Sequence, residues 1–161
     1  MKKMVGLLLA GLLLLGLVGC QSKQREQAVS GGYDLYEGYV SVNGDKLMVN
    51  DFEFIDLTDQ YWINKLGLTI EDMPNGYYIY DVSEELLTFN LDEATRYNFY
   101  DTGCLFVSED DPDRRYITTN LAEFMEKFDP DGNGYPLCKT PFEIQVLEDG
   151  RVLSISEIFV N

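Results

Sequence analysis

Residues 39–49 read Tyr39-Val40-Ser41-Val42-Asn43-Gly44-Asp45-Lys46-Leu47-Met48-Val49, and this stretch predicts a β-hairpin. Residues that favour β-structure lie on both sides of Asn43-Gly44, a dipeptide that suits the type I′ turn of a two-residue hairpin loop. The second strand continues to residue 55. Its alternation slips near Asn50-Asp51, which predicts a β-bulge or a bend at that point.

Short β-favouring runs continue along the chain, separated by turn-forming residues. They occupy residues 77–80, 86–89, 96–100, 105–107, 116–118, 142–146 and 152–160. Strands and helices do not alternate regularly, so antiparallel pairing is favoured over a parallel α/β sheet. We expect residues 33–161 to form a single mainly β (α+β) domain. The favoured architecture is a small antiparallel, partly open OB-like barrel with two short helices, because near-closure protects sheet edges. A two-layer α+β sheet is the alternative.

Two short helices are predicted from their capping residues. Thr58-Asp59 begins the first, which carries an apolar stripe of Trp62, Ile63 and Leu66 and ends at Gly67. Asn120 and Glu123 form a start that resembles a capping box for the second. The apolar residues of the second helix follow at helical spacing: Leu121, Phe124, Met125 and Phe128.

The amino terminus has the organisation of a signal peptide. Lys2 and Lys3 precede an apolar run over residues 5–18, which is shorter than the roughly 20 residues of a membrane-spanning helix. The run ends in Leu17-Val18-Gly19-Cys20, which resembles the lipobox of bacterial lipoproteins. The resemblance implies that residues 1–19 are removed and that the Cys20 thiol is diacylated. Two acyl chains suffice for stable anchoring, so the protein would be lipid-anchored on the extracytoplasmic face of the cell membrane without spanning it.

Residues 20–32 are predicted to tether the domain to the lipid. The segment after Cys20 is polar, lacks hydrophobic periodicity and ends in Gly31-Gly32. A flexible segment of about twelve residues has a typical reach of roughly 20 Å. We therefore expect the domain to stay close to the headgroups.

Composition restricts the function classes. The chain has 28 acidic and 12 basic residues, no histidine and a formal charge of −16; loss of Lys2 and Lys3 with the signal takes it to −18. Such a charge argues against nucleic acid and anionic lipid headgroups as direct partners. Without histidine, Ser-His and Cys-His nucleophile pairs and His-containing zinc sites are excluded. Carboxylate chemistry is left: a glycan hydrolase with two facing carboxylates, or an oxygen-ligand metal site.

One segment resembles the first half of an EF-hand calcium loop. Asp129, Asp131 and Asn133 occupy positions 1, 3 and 5, Gly134 occupies position 6, and the Tyr135 carbonyl would be the ligand at position 7. Position 12 is a threonine, residue 140, where the loop normally has a bidentate glutamate. The segment therefore predicts either a calcium site or an ordinary turn after a helix. No other cofactor is expected.

Cys104 and Cys138 are the two cysteines left after Cys20. Outside the cytosol a disulfide between them is permitted. The alternative is two buried thiols that pack as small hydrophobic groups.

The carboxy-terminal segments 141–146, 149–152 and 155–157, together with residues 73–79, resemble parts of small secreted domains of Gram-positive bacteria. This resemblance implies no activity. The chain's 11 tyrosines and 9 phenylalanines supply aromatic contact area for the core or for a ligand. The sequence favours a non-catalytic binding module at the cell surface, whose partner is a protein or a cell-wall component. A calcium-binding protein and a carboxylate-dependent glycan hydrolase are the alternatives.

Overall fold

A computed structural model describes residues 32–132 and 140–159. Seven strands, two α-helices and a short 3₁₀ helix, Ile70–Asp72, form this part of the chain. The strands are β1 (Tyr33–Asn43), β2 (Lys46–Asp56), β3 (Tyr77–Asn90), β4 (Arg96–Tyr100), β5 (Arg115–Thr118), β6 (Phe142–Leu147) and β7 (Val152–Glu157). The α-helices are α1 (Gln60–Leu66) and α2 (Leu121–Phe128). No helix in these ranges is long and apolar enough to cross a membrane.

The predicted hairpin forms, with its turn one residue later than expected. Asn43 pairs with Lys46, so Gly44 and Asp45 are the two loop residues. Gly44 has a φ of +62° and Asp45 is not among the residues with positive φ. A positive φ at the first loop residue alone is the pattern of a type II′ turn, in which glycine occupies that position. Gly44 therefore sets the turn, and Asn43 is the last residue of β1.

All seven strands belong to one sheet, in the order β3-β2-β1-β6-β7-β4-β5. Neighbouring strands are antiparallel except β4 and β7, which are parallel. The expected mainly β class with two helices is confirmed. The OB-like barrel is not confirmed: in the described residues β3 and β5 are edge strands that do not pair with each other. Phe89 of β3 and Tyr116 of β5 nevertheless pack against the same hydrophobic core. Both edge strands therefore contact one core without pairing with each other, which makes the sheet partly open.

The β2–β3 pair contains the predicted irregularity. Its register shifts between Asn50 and Phe52, which confirms an irregularity next to Asn50-Asp51, where a bulge or bend was expected. Beyond the shift, β2 continues to pair with the first residues of β3. The runs 77–80 and 86–89, predicted as two strands, are therefore parts of one 14-residue strand.

The predicted strand over residues 105–107 is wrong. The backbone N–H groups of Leu105, Phe106 and Val107 donate to the Asp101 carboxylate at 3.0, 2.7 and 2.9 Å. Asp101 is fully buried. Because this carboxylate takes the donors that a strand would use in a ladder, the segment folds as a tight loop after β4.

Helix α2 closes the core on one face of the sheet. The Asn120 side chain accepts a hydrogen bond from the Ala122 N–H at 3.0 Å, as its predicted capping role requires. Phe124 and Phe128 of α2 are buried. Phe124 stacks on Tyr97 with ring centroids 5.0 Å apart, and Phe128 packs against Phe142 at 5.1 Å. Aromatic side chains therefore form most of the contact between α2 and the sheet.

Helix α1 has the predicted caps and a different environment. The Asp59 carboxylate accepts from the Trp62 N–H at 3.1 Å, and Gly67 ends the helix with a φ of +68°. No residue of α1 is fully buried. Its apolar stripe is thus only half covered by the domain.

Candidate functional site

The predicted calcium loop lies partly outside the described residues. Asp129 ends α2, is 3% exposed, and donates its N–H to the Met125 carbonyl at 2.7 Å. The Gly132 N–H donates to the Asp129 carbonyl at 3.0 Å, which turns the chain after the helix. Asp131 is exposed. Asn133 and Tyr135 fall outside the described ranges, so calcium binding by this loop stays a prediction.

The predicted disulfide has one described partner. Cys104 is half-buried, has a φ of +53°, and its Sγ accepts a hydrogen bond from Arg114. It forms no disulfide with another described residue. Cys138 lies outside the described ranges, as does the lipidation candidate Cys20, and both assignments stay predictions.

The acidic loop over residues 109–113 is held by an arginine through main-chain contacts. Arg114 donates to the Ser108 carbonyl at 3.2 Å and to the Glu109 carbonyl at 3.0 Å.

In residues 32–132 and 140–159, no group of three or more Asp, Glu or Cys side chains is arranged to hold a metal ion.

A groove of about 480 Å³ lies on the sheet face opposite α2. It follows β4 and its neighbours, where polar residues alternate with the buried Tyr97 and Phe99. Because side chains of a strand alternate between its faces, the polar ones point away from the core. The lining residues are Arg96, Asn98, Phe99, Tyr100, Arg115, Ile117, Gln145, Leu153, Ser154, Ser156 and Glu157.

Short polar side chains form the floor of this groove. Asn98 lies opposite Ser156 in the parallel β4–β7 ladder, and its Nδ2 donates to the Ser156 Oγ at 2.9 Å. Ser154 lies opposite Gln145, and its Oγ donates to the Gln145 Oε1 at 3.0 Å. The Asn98 Oδ1 is buried without a hydrogen-bond partner in the described part of the chain. Such unsatisfied polar atoms are uncommon in native proteins, and a bound water, an ion or a catalytic role can account for them.

Two arginines line the groove. Arg96 and Tyr100 are four residues apart along β4, roughly 13 Å at the usual rise of a strand. Tyr100 lies opposite Arg115 of β5. Arg96 is exposed, and its guanidinium forms no ion pair or hydrogen bond with any described residue. Arg115 donates to the Tyr100 hydroxyl at 3.2 Å. This hydrogen bond and the nearby charges of Tyr100 and Asp113 raise the pKa of Arg115 above its ordinary value.

An aromatic surface borders the Arg115 end. The ring centroid of Phe159 lies 4.7 Å from that of Tyr100, and Phe159 is 53% exposed. The Arg115 guanidinium lies 5.6 Å from the same Tyr100 ring. A ligand in the groove would therefore meet a guanidinium and an aromatic surface at one end and a free guanidinium at the other.

Glu157 is the one carboxylate among the residues that line this groove. Burial raises its pKa, although the hydrogen bond from the Tyr100 N–H, at 2.8 Å, and the charge of Lys127 act in the opposite direction. A glycosidase mechanism needs two carboxyl groups about 5–10 Å apart across the scissile bond. The groove does not supply the pair that the hydrolase alternative requires.

None of the groove residues was predicted from the sequence to belong to a site. The strand prediction over residues 96–100 already implied a polar face, because Arg96, Asn98 and Tyr100 alternate with aromatic residues. This polar face forms a groove because β4 pairs with β7. The two strands are more than 50 residues apart in sequence.

No protein-family model, no curated protein and no solved structure matches this chain.

Proposed function

We propose that this protein is a lipid-anchored, extracytoplasmic binding module that holds an acidic cell-wall glycan in the groove along β4. Anchoring is supported by the sequence Leu17-Val18-Gly19-Cys20 at the end of the apolar amino terminus. Binding is supported by one observation above the others: the Arg96 guanidinium faces a polar groove without an acidic partner among the described residues.

The arginines of the described residues differ in their partners. Arg151 pairs with both Asp92 and Asp149, Arg114 donates to main-chain carbonyls, and Arg115 donates to the Tyr100 hydroxyl. Among the described residues, Arg96 is the arginine whose guanidinium has no such partner. Guanidinium groups bind carboxylate and phosphate through two parallel hydrogen bonds. Arg96 is thus suited to an anionic group on a ligand.

The floor and the rim indicate the rest of the ligand. Ser154, Ser156, Asn98 and Gln145 offer hydroxyl and amide groups that suit the hydroxyls of a sugar. Tyr100 and Phe159 offer an aromatic surface at the rim. The strongly negative remainder of the molecule would repel polyanions that lack these matching contacts, so the net charge adds selectivity.

Binding of a short acidic glycan tests this proposal. We expect the mature protein in nanodiscs to bind trigalacturonate, a carboxylated sugar trimer, more tightly than the neutral trimer maltotriose by calorimetric titration. Arg96→Gln should weaken trigalacturonate binding by at least about tenfold, since one charge-assisted hydrogen bond contributes about 1.5–3 kcal/mol.

Arg151→Gln is the matched control, because Arg151 is an exposed arginine that is not among the groove-lining residues. This variant should bind trigalacturonate as the unmodified protein does. Equal affinities for the Arg96→Gln variant and the unmodified protein would contradict the role of the groove. Equal binding of the two trimers would contradict an acidic ligand.

A further inference from the structure

The end of the sheet at which the predicted tether enters also carries α1. The tether joins the domain at Tyr33, the first residue of β1. β1 and β2 are antiparallel, with Gly38 opposite Asp51, so the start of β1 and the end of β2 point to the same end of the sheet. Asp56, at the end of β2, pairs with Tyr77 at the start of β3. The connection over residues 57–76, with α1 and the 3₁₀ helix, therefore lies at the end of the sheet where β1 begins.

This connection exposes large apolar side chains. Leu57 is 52% exposed, Tyr61 67% and Ile70 79%, and the last two are the most exposed large hydrophobic residues of the described chain. Trp62 is half-buried beside Tyr61, with ring centroids 5.4 Å apart. The Lys65 ammonium lies 3.9 Å from the Trp62 ring. We call this group of side chains, Leu57, Tyr61, Trp62 and Ile70, the apolar end.

We infer that the apolar end docks into the headgroup region of the bilayer when Cys20 is acylated, so that the groove is held in a fixed orientation above the membrane. This inference rests on the proposed lipid anchor. The predicted tether, with an expected reach of roughly 20 Å, would hold the domain at the membrane at a high effective concentration. Weak partitioning of a few side chains is then sufficient for docking. Tryptophan and tyrosine favour the interface, where the ring lies among apolar groups and the polar atom contacts water.

The charged groups around the apolar end determine which lipids it accepts. Asp56 accepts hydrogen bonds from Thr58, Asp59 caps α1, and Asp72 accepts from Thr69. Glu71 is exposed, and Lys65 is the cation of this segment. Four acidic groups against one basic group would be repelled by anionic headgroups. We therefore expect docking on zwitterionic lipid and weaker docking as anionic lipid is added.

Trp62 is the single tryptophan of the chain, so its fluorescence reports docking directly. The mature lipoprotein is reconstituted into phosphatidylcholine vesicles that carry bromine on the upper acyl carbons. We expect emission to shift to the blue and to fall by about half relative to unbrominated vesicles, because docked apolar faces lie about 5–10 Å into the headgroup–acyl boundary. Adding phosphatidylglycerol should reduce the quenching.

Two variants separate docking from other sources of quenching. Ile70→Asp should lose most of it, because the most exposed apolar side chain of the surface is replaced by a charge. Leu86→Asp is the matched control, because Leu86 is 53% exposed and pairs with Asn50 toward the other end of the sheet. Trp62 fluorescence in this variant should be quenched as in the unmodified protein.

Flotation of the same vesicles distinguishes the two proposals. Protein that floats with the vesicles while Trp62 is not quenched would overturn docking and leave the anchor intact. Protein that does not float would overturn the anchor and the docking together. A blue shift without bromine quenching would also overturn docking, since it would indicate that the apolar end is covered by a second copy of the chain.

Discussion

Asp101→Asn is expected to destabilise the domain by about 3 kcal/mol, because the variant leaves the N–H groups around this buried residue without a charged acceptor. Oδ2 accepts from Phe106 and Val107, and Oδ1 accepts from Leu105. The asparagine side chain has an NH₂ group in place of one carboxylate oxygen. This group cannot accept a hydrogen bond from the one or two N–H donors that it faces. Chemical denaturation at pH 7 measures the change in unfolding free energy.

The effect of Asp101 should also depend on pH. Burial acts to raise the pKa of Asp101, but the three N–H donors and the charge of Lys127 outweigh it and lower the pKa. A carboxyl whose pKa is lower in the folded state stabilises the fold above its unfolded pKa of about 3.9. That contribution is lost as the pH falls through the folded pKa. The gap between the unmodified protein and Asp101→Asn should therefore be constant above about pH 5 and narrow below pH 4.

Asp110→Asn is the control, because Asp110 is an exposed carboxylate in the neighbouring loop. It should change the unfolding free energy by less than about 0.5 kcal/mol. A gap for Asp101→Asn that stays the same from pH 7 to pH 3 would contradict the role assigned to its charge. The Asp101 N–H also bonds to the Arg114 carbonyl at 2.7 Å, so loss of the loop should disturb the Tyr100–Arg115 end of the groove.

Gly38→Ala is expected to destabilise the domain by about 2–3 kcal/mol, in the range of overpacked sites. A Cβ at this position would lie 2.5 Å from the Val49 Cγ1 and 2.7 Å from the Asn50 carbonyl oxygen. Gly38 pairs with both β2 and β6. Relief of the clash with Asn50 requires movement of backbone in the middle of the sheet. Urea denaturation measures the loss.

Gly103→Ala is the matched substitution. A Cβ there meets no atom within 4 Å, and Gly103 is not among the glycines with positive φ. It should be neutral or stabilise by about 0.4–1 kcal/mol through the unfolded chain. If Gly38→Ala unfolded at the same urea concentration as Gly103→Ala, the close approach of β1 to β2 would be contradicted.

Local signals in the sequence predicted the local structure. The hairpin, the bulge near Asn50 and both helices depend on neighbouring residues, such as Asp59 and Gly67 around α1. The turn shifted by one residue because Gly44 tolerates a positive φ at the first loop position. The loop over residues 105–107 was missed because its apolar composition favours a strand, whereas the Asp101 carboxylate takes its N–H groups.

Long-range contacts limited the prediction of the groove. Ser154 and Ser156 contribute to its floor because β7 pairs in parallel with β4. Nothing in either strand indicates that partner: β4 has an ordinary alternating pattern, and β7 alternates only in part because its register against β6 shifts. The absence of an acidic partner for Arg96 is likewise a property of the folded surface. Composition indicated the acidic surface. The fold was needed to show that Arg96 lies on this surface without an acidic partner among the described residues.

Under the proposed lipid anchor, acylation of Cys20 would determine where the groove is presented and whether the apolar end meets a bilayer. Mass spectrometry of the protein extracted from membranes measures it directly. We predict an amino-terminal peptide that begins at Cys20 and carries a diacylglyceryl group, and we predict that Cys20→Ser abolishes both the lipid and the cleavage. A mature protein that retains residues 1–19, or a Cys20→Ser variant that is still processed and membrane-bound, would contradict the lipid anchor.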